Sequence, residues 1–114
     1  MRRVNLEHAA PAEGAEAECR VKKLTGHLWA RLMELEEDGL RVLSPTDAQA
    51  GAGMVLAAVP GRDGQEFVRR LRRDWGVLCA GTPQGAVCFY LGPEHSFEEL
   101  DYVQDVVYKL LLQN

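Results

Sequence analysis

The residues of this 114-residue chain with the most chemistry to offer are its three cysteines and three histidines. Cys19, Cys79 and Cys88 are odd in number and widely spaced, which is typical of reduced thiols rather than of a disulfide framework. The histidines are equally scattered, at His8, His27 and His95. Neither set has the spacing of a metal site, and the sequence contains no nucleophile elbow and no phosphate-binding glycine loop that ends in lysine. The sequence therefore lacks a complete catalytic constellation.

Two of the cysteines belong to a predicted hairpin. A turn centred on Pro83 and Gln84 would bring Cys79 and Cys88 near one another across two strands, as a redox pair or a reactive thiol. Buried cysteine, however, commonly packs as a small hydrophobic side chain, and no neighbouring histidine or lysine can be identified that would activate either thiol. We therefore favour core packing for both.

The charged residues exclude some classes of partner. The net charge of -4 disfavours phosphate backbones and anionic membranes. A local basic cluster exists, but its helical spacing and lack of interleaved aromatic residues are typical of a solvated helix face. Its members are Arg69, Arg70, Arg72 and Arg73. A weaker candidate for anion contact is Arg62, together with the first-turn amides of the helix that follows it. We expect no nucleic-acid partner.

The compartment follows from what the chain lacks. No apolar run approaches the roughly 20 residues of a membrane span, and the first five residues lack the apolar core of a signal peptide. We therefore expect no membrane association and a cytoplasmic protein.

Hydrophobic periodicity predicts seven elements in the order helix, strand, strand, helix, strand, strand, helix. Gly39 ends the first helix, Asp63 caps the second, and Ser96 with Glu99 forms a capping box at the start of the third. Turns are expected at 44–47 and 51–53. The predicted helices cover about 21–35, 63–75 and 96–111, and the predicted strands cover 40–43, 54–59, 77–80 and 86–91. The expected fold is α+β, with a small, mostly antiparallel sheet and helices packed on one face.

The sequence predicts a mobile leader followed by one domain. Residues 1–19 are rich in alanine and glutamate and have few large apolar side chains between positions 7 and 18, so we assign them to the leader. The domain spans 20–114. An initial Met1 and a leader unlike a domain linker favour a complete gene product over a segment of a longer polypeptide.

The order of the elements matches a recognisable set of residues. The segments 20–32 and 39–45 resemble the start of the C-terminal small domain of class V aminotransferases. These belong to the fold type I pyridoxal phosphate group, which includes cysteine desulfurases and isopenicillin N epimerase-like enzymes. Further matches follow in register: a strand at 54–60 that ends in Pro-Gly, a helix at 67–76, and the helix start at 96–101. The resemblance covers nearly the whole chain apart from its leader.

The resemblance implies that the large domain is missing. In the relatives that domain supplies the Schiff-base lysine, an aspartate facing the pyridine nitrogen and most phosphate contacts, and nothing here matches those segments. We interpret Lys22, Lys23 and Lys109 as surface residues. The resemblance also aligns Cys88 with an arginine that clamps the substrate carboxylate in the relatives. A neutral thiol cannot form the two parallel hydrogen bonds of that clamp. Either the substrate is not a standard α-amino acid, or a partner provides the arginine, or the domain is only structural.

The resemblance therefore implies the small subunit of a split enzyme. A separately encoded large subunit would hold pyridoxal phosphate, this chain alone would bind no cofactor, and a two-plus-two hetero-oligomer is expected. Thr82, Cys88 and Tyr90 would lie nearest the substrate. Trp29, Tyr90 and Tyr102 are candidate interface residues, because aromatic side chains are favoured at interface cores, and ordinary core packing is the alternative for each. The alternative is a stand-alone, non-catalytic module that binds a protein or a ligand. The family spans transamination, desulfurisation, epimerisation and elimination, so the sequence does not indicate the reaction.

Overall fold

The computed structural model describes residues 3–44 and 53–113. Its strands are β1 (Val4–Asn5), β2 (Arg41–Val42), β3 (Met54–Ala58), β4 (Val77–Leu78), β5 (Ala80–Gly81) and β6 (Val87–Tyr90). Its helices are α1 (Ala15–Met33), which continues into a short 3-10 helix (Glu34–Asp38), α2 (Gly64–Trp75) and α3 (Phe97–Leu111). The predicted α+β class is confirmed. The turns predicted between β2 and β3 fall mainly on 45–52, outside the described residues.

The strands form one layer around β6. In the described residues, β2, β3, β6 and β5 lie side by side in that order and are antiparallel, while β1 pairs in parallel with β4. The backbone of Leu6, just after β1, joins the two groups. Its carbonyl accepts a hydrogen bond from Tyr90 N at 2.8 Å, and its amide donates to Leu78 O at 2.7 Å. The segment that begins with β1 therefore lies between β4 and β6.

Within the described residues, the helices cover one face of the sheet. Strand pleating puts alternate residues on opposite faces. Val55 lies opposite Phe89, and both side chains belong to the buried core that the helices share. We call this side the inner face. Leu56, which lies opposite Cys88, points to the other side, which we call the outer face.

The helices follow the predicted apolar stripes and helix caps. Leu24, Leu28 and Leu32 of α1 are fully buried against the core. Gly39 and Gly76 adopt the left-handed conformation that ends the 3-10 helix and α2. The predicted cap at Asp63 and the capping box at the start of α3 are both confirmed by their hydrogen bonds. Among the described residues, no helix combines the length and the apolar character needed to cross a membrane.

Three differences from the predicted elements concern the N-terminal part and the hairpin. Helix α1 begins at Ala15, earlier than predicted, and β1 was not predicted. The predicted strand 77–80 is divided at Cys79 into β4 and β5. The segment 1–19 thus contains β1 and the start of α1. Val4 and Leu6 in this segment are fully buried in the core. For the residues between these two elements, mobility stays a prediction.

Candidate functional site

The outer face of the central strands carries an uncharged patch. Strand register places Leu56 opposite Cys88, Met54 opposite Tyr90, and Ala80 on the other side of Cys88. Tyr90 is 38% exposed and Cys88 only 3% exposed. The remaining members keep part of their surface in contact with solvent. We call this set the outer patch; it consists of Met54, Leu56, Ala58, Ala80, Cys88 and Tyr90.

Cys88 and Tyr90 are adjacent on this patch and influence each other. Burial raises the pKa of the Cys88 thiol, and a hydrogen bond with the Tyr90 hydroxyl offsets part of that shift. The same hydrogen bond raises the pKa of Tyr90. Both groups are therefore neutral near pH 7. Two of the three residues predicted to lie near a substrate are thus brought together, but neither offers the positive charge that would hold a carboxylate.

Cys79 lies on the other side of the sheet. Because Ala80 pairs with Cys88 and Gly81 with Val87, the hairpin is shifted by one residue from a turn centred on Pro83 and Gln84. A shift of one residue reverses the face to which a side chain points. Cys79 belongs to the buried core, where burial raises its pKa to about 12. The register therefore does not favour a redox pair, and both thiols are buried, as core packing requires.

Thr82 belongs to the turn of the same hairpin. Its amide donates to Ala86 O at 2.9 Å, and its hydroxyl oxygen accepts from Ala86 N at 3.0 Å. Tyr90 lies four residues beyond Ala86, which at roughly 3.3 Å per strand residue is about 13 Å away. Thr82 lies two residues beyond Ala80, at the edge of the outer patch but distant from Tyr90, and its hydroxyl is used in closing the turn.

A depression of about 570 Å³ borders the outer patch at Tyr90. It is lined by Glu7, His8, Ala9, Ala80 and Tyr90. Sequence reasoning missed its first three residues because they fell within the segment assigned to the leader. The signal that could have found them is the alternation of apolar Val4 and Leu6 with polar residues, which is typical of a strand.

His95 holds the strand that positions this depression. The side chain is 3% exposed. Its Nδ1 atom accepts a hydrogen bond from Gly92 N at 3.0 Å, and its Nε2 atom lies 2.6 Å from Asn5 O and donates to it. Both ring nitrogens are therefore satisfied in one tautomer. The other histidines are separate from it: His8 lines the depression, and His27 lies 2.8 Å from Asp101.

Of the predicted interface residues, Tyr90 lies on the outer patch, while Trp29 and Tyr102 lie elsewhere, against the core. Trp29 is half-buried on α1, and its indole nitrogen donates to Ser44 O at 3.2 Å. Tyr102 is half-buried on α3, and its hydroxyl donates to Trp75 O at 2.7 Å. Each aromatic ring packs against the core. Their part in an interface stays a prediction.

The arginine cluster on α2 is engaged with acidic and amide side chains. Arg69 pairs with Glu66 at 2.7 Å, Arg73 pairs with Asp74 at 2.9 Å, and Arg70 binds the Gln113 side chain. Such exposed pairs are typical of a solvated helix face.

The possible anion contact at the start of α2 is also occupied. The Asp63 carboxylate accepts from Gln65 N at 2.9 Å, and the Arg62 guanidinium donates to Leu110 O at 3.1 Å. The structure thus gives Arg62 a role at the end of α3 rather than at an anion site.

The residues present do not fit pyridoxal phosphate. The cofactor needs an enclosed lysine to hold it, yet the three lysines of the chain are exposed. Lys22 and Lys23 lie on α1, and Lys109 on α3 pairs with Asp105 at 3.0 Å. Within residues 3–44 and 53–113, no group of three or more histidine, cysteine or acidic side chains could hold a metal ion.

Comparison with known proteins gives a fold but no family. No family model matches the chain, and no curated protein sequence is similar to it. Solved structures do match, and three of them show the extent of the similarity. A NifS-like protein matches with a TM-score of 0.68 at 20% identity, and a NifS-like protein from Rickettsia africae ESF-5 with 0.73 at 12%. The cystine C-S lyase C-DES, in complex with its reaction product cysteine persulfide, matches with 0.72 at 17%.

The extent of these matches is uneven. Each covers 84% of this chain but only 28%, 29% and 25% of the three proteins, in the same order. This chain thus spans a quarter to three tenths of the length of the proteins it resembles. The finding agrees, at the level of fold, with the resemblance to a small domain of class V aminotransferases.

Proposed function

We propose that this chain is the small subunit of a split, class V aminotransferase-like enzyme. The observation that carries the proposal is the uneven match: nearly all of this chain has the fold of a quarter to three tenths of much longer proteins. A separate large subunit would supply the rest, including the lysine that holds pyridoxal phosphate. When bound there, the cofactor would supply an electron sink for the substrate.

The residues of this chain support a completing role rather than a catalytic one. Its lysines are exposed, and the Cys88 thiol, which the resemblance aligns with the clamping arginine, is neutral and buried. The large subunit must therefore contribute the positive charge for a carboxylate substrate. On this proposal the outer patch, with Cys88 and Tyr90, lies beside the substrate, and the assembly contains two copies of each subunit. Free thiols in all three positions fit a reducing compartment, so we expect the complex in the cytoplasm.

Co-purification tests the proposal. A tagged full-length chain, expressed in its own host, should retain a protein with a class V large domain, and the complex should be yellow while the separated chain is colourless. Because one similar structure is a cystine C-S lyase, cystine is the first substrate to offer the complex. A chain that retains no such protein from its host would contradict the proposal.

The second candidate is a stand-alone binding module. The observation that favours it is the depression of about 570 Å³ beside Tyr90, which combines a carboxylate, an imidazole and a phenol. Such a module would bind its ligand as the isolated chain, whereas the split-enzyme proposal requires the large subunit for binding. Equilibrium dialysis of cystine against the chain with and without its partner separates the two.

A further inference from the structure

The two central strands of the sheet are apolar on both faces. In β3 the sequence is Met-Val-Leu-Ala-Ala, and in β6 it is Val-Cys-Phe-Tyr. An antiparallel strand with one face in water normally alternates apolar and polar residues, whereas a continuous apolar run is typical of a strand covered on both sides. The sequence of these strands therefore indicates a cover on the outer face.

The described part of the chain supplies a cover for the inner face. There Val55, Val87 and Phe89 are at most 3% exposed and pack in the same core as the helices. On the outer face Met54, Leu56, Ala58 and Ala80 all keep contact with solvent, and Tyr90 is 38% exposed. The outer face is therefore partly open to solvent, whereas the inner face is covered.

Charged side chains border the outer patch, where Arg41 lies opposite Ala58 and Glu7 lines the depression beside Tyr90, but most of the other charged residues lie on the helix layer. Arg31 pairs with Glu34 at 3.2 Å, and Lys109 with Asp105 at 3.0 Å, both on exposed helix surface. None of the six residues of the outer patch is charged. Interface cores are depleted of charge and enriched in methionine and aromatic residues. The composition of the outer patch is therefore that of an interface core, while the helix layer has the composition of a solvated surface.

We propose that the outer patch is the surface that the large subunit covers. This inference rests on the proposed function. The partner is argued from length: in the similar structures this fold is only 25–29% of a chain, so most of the protein lies outside it and can cover the open sheet face. A second copy is disfavoured because each chain carries a net charge of -4, and two copies would repel each other. The part of the large subunit that faces Leu56 and Ala58 is apolar, and it offers a hydrogen-bond partner for the Tyr90 hydroxyl.

A matched pair of tyrosines allows a sharp test. Tyr90 on the outer patch and Tyr108 on α3 are both 38% exposed. Tyr90→Glu should lower the affinity for the large subunit at least about tenfold, since a buried, unpaired carboxylate costs more than 1.4 kcal/mol. Tyr108→Glu should leave the affinity within about twofold. Each tagged full-length variant is used to capture proteins from the host, and binding to the captured class V protein is then titrated with the purified components.

Each outcome decides something. Far-ultraviolet circular dichroism shows which variants fold, and Ala58→Lys replaces Tyr90→Glu if the latter does not. Loss of binding in the outer-patch variant alone supports the inference. Equal binding by all variants overturns the choice of face and leaves the proposed function standing. A wild-type chain that captures no class V protein overturns the proposed function, and this inference with it. A wild-type homodimer that Tyr90→Glu dissociates overturns the choice of the large subunit as the occupant.

Discussion

At the hairpin of β5 and β6, two cysteines nine positions apart in the sequence have different surroundings. Cys79 points into the core beneath the sheet, while Cys88 points to the outer patch beside Tyr90. Cys19, on the first part of α1, is exposed. Thiolates are the reactive form of cysteine, and burial disfavours them. We therefore expect the two sheet cysteines to be unreactive in the folded chain.

The first prediction concerns stability at alkaline pH. The Cys79 thiol has an ordinary pKa of 9.0, and burial in the folded chain raises it to about 12. Above pH 9 the unfolded chain loses this proton while the folded chain keeps it, so the free energy of unfolding falls as pH rises from 9 towards 12. The slope from this group is at most about 1.4 kcal/mol per pH unit.

Urea unfolding of three proteins at several pH values checks this. Cys79→Ala should show a flatter decline with pH than the wild type, whereas Cys19→Ala, at an exposed position, should keep the wild-type slope. Equal slopes for the wild type and Cys79→Ala would contradict the assignment of Cys79 to the core.

A second prediction at this scale concerns His95. Replacement by leucine removes the partners of the buried Gly92 amide and the part-buried Asn5 carbonyl, and leaving such groups unpaired costs about 1–3 kcal/mol. His95→Leu should therefore lower the free energy of unfolding by that amount in urea titrations. The exposed His8 provides the control, since His8→Leu should change it by less than about 0.5 kcal/mol. A loss of stability in His8→Leu as large as in His95→Leu would argue against a special role for the buried ring.

At the scale of the elements, β1 is the main difference between the predicted fold and the observed one. Val4 and Leu6 are fully buried, and the segment joins β4 to β6 through backbone hydrogen bonds. It also carries Glu7 and His8 to the depression beside Tyr90. The segment is thus a structural part of the domain and of its candidate site.

The third prediction tests β1 by truncating its buried side chain. Leu6→Ala should lower the free energy of unfolding by about 2–5 kcal/mol, the usual cost of a large-to-small change in a core. Leu112, near the end of the chain, is 60% exposed and serves as the control. Leu112→Ala should stay within about 0.5 kcal/mol of the wild type. If Leu6→Ala were as mild as Leu112→Ala, the N-terminal segment would be a leader after all.

The predictability of these elements follows from how much local signal each one has. The capping box at Ser96, the glycine at the end of α2 and the stripes of the long helices depend on neighbours within a few residues, and all were predictable. The strand β1 has only two residues and is stabilised by partners far along the chain, so its local signal was too weak.

The candidate site was partly predictable for the same reason. Cys88 and Tyr90 share a strand, and alternation alone places them on one face. The position of Thr82 depends on the geometry of the turn. The separation of Cys79 from Cys88 depends on a strand register that differs by one residue from the expected one. Register is set by the turn and the core together, which a single sequence does not reveal.

At the scale of the whole molecule, the chain is a folded unit that other proteins carry as part of a longer chain. Its core is formed by one helical layer and the inner face of the sheet, while the apolar outer patch is open. Its three lysines are exposed rather than enclosed, and Lys109 among them pairs with Asp105. The proposal of a completing subunit rests on these properties.

The most direct test locates the cofactor. The tagged chain and the proteins it retains from its host are treated with sodium borohydride, which fixes a lysine-bound pyridoxal phosphate, and the modified lysine is identified by mass spectrometry. We predict a pyridoxyl group on a lysine of the partner, with Lys22, Lys23 and Lys109 unmodified. A pyridoxyl group on any of these three lysines, or on no lysine in the sample, would contradict the account.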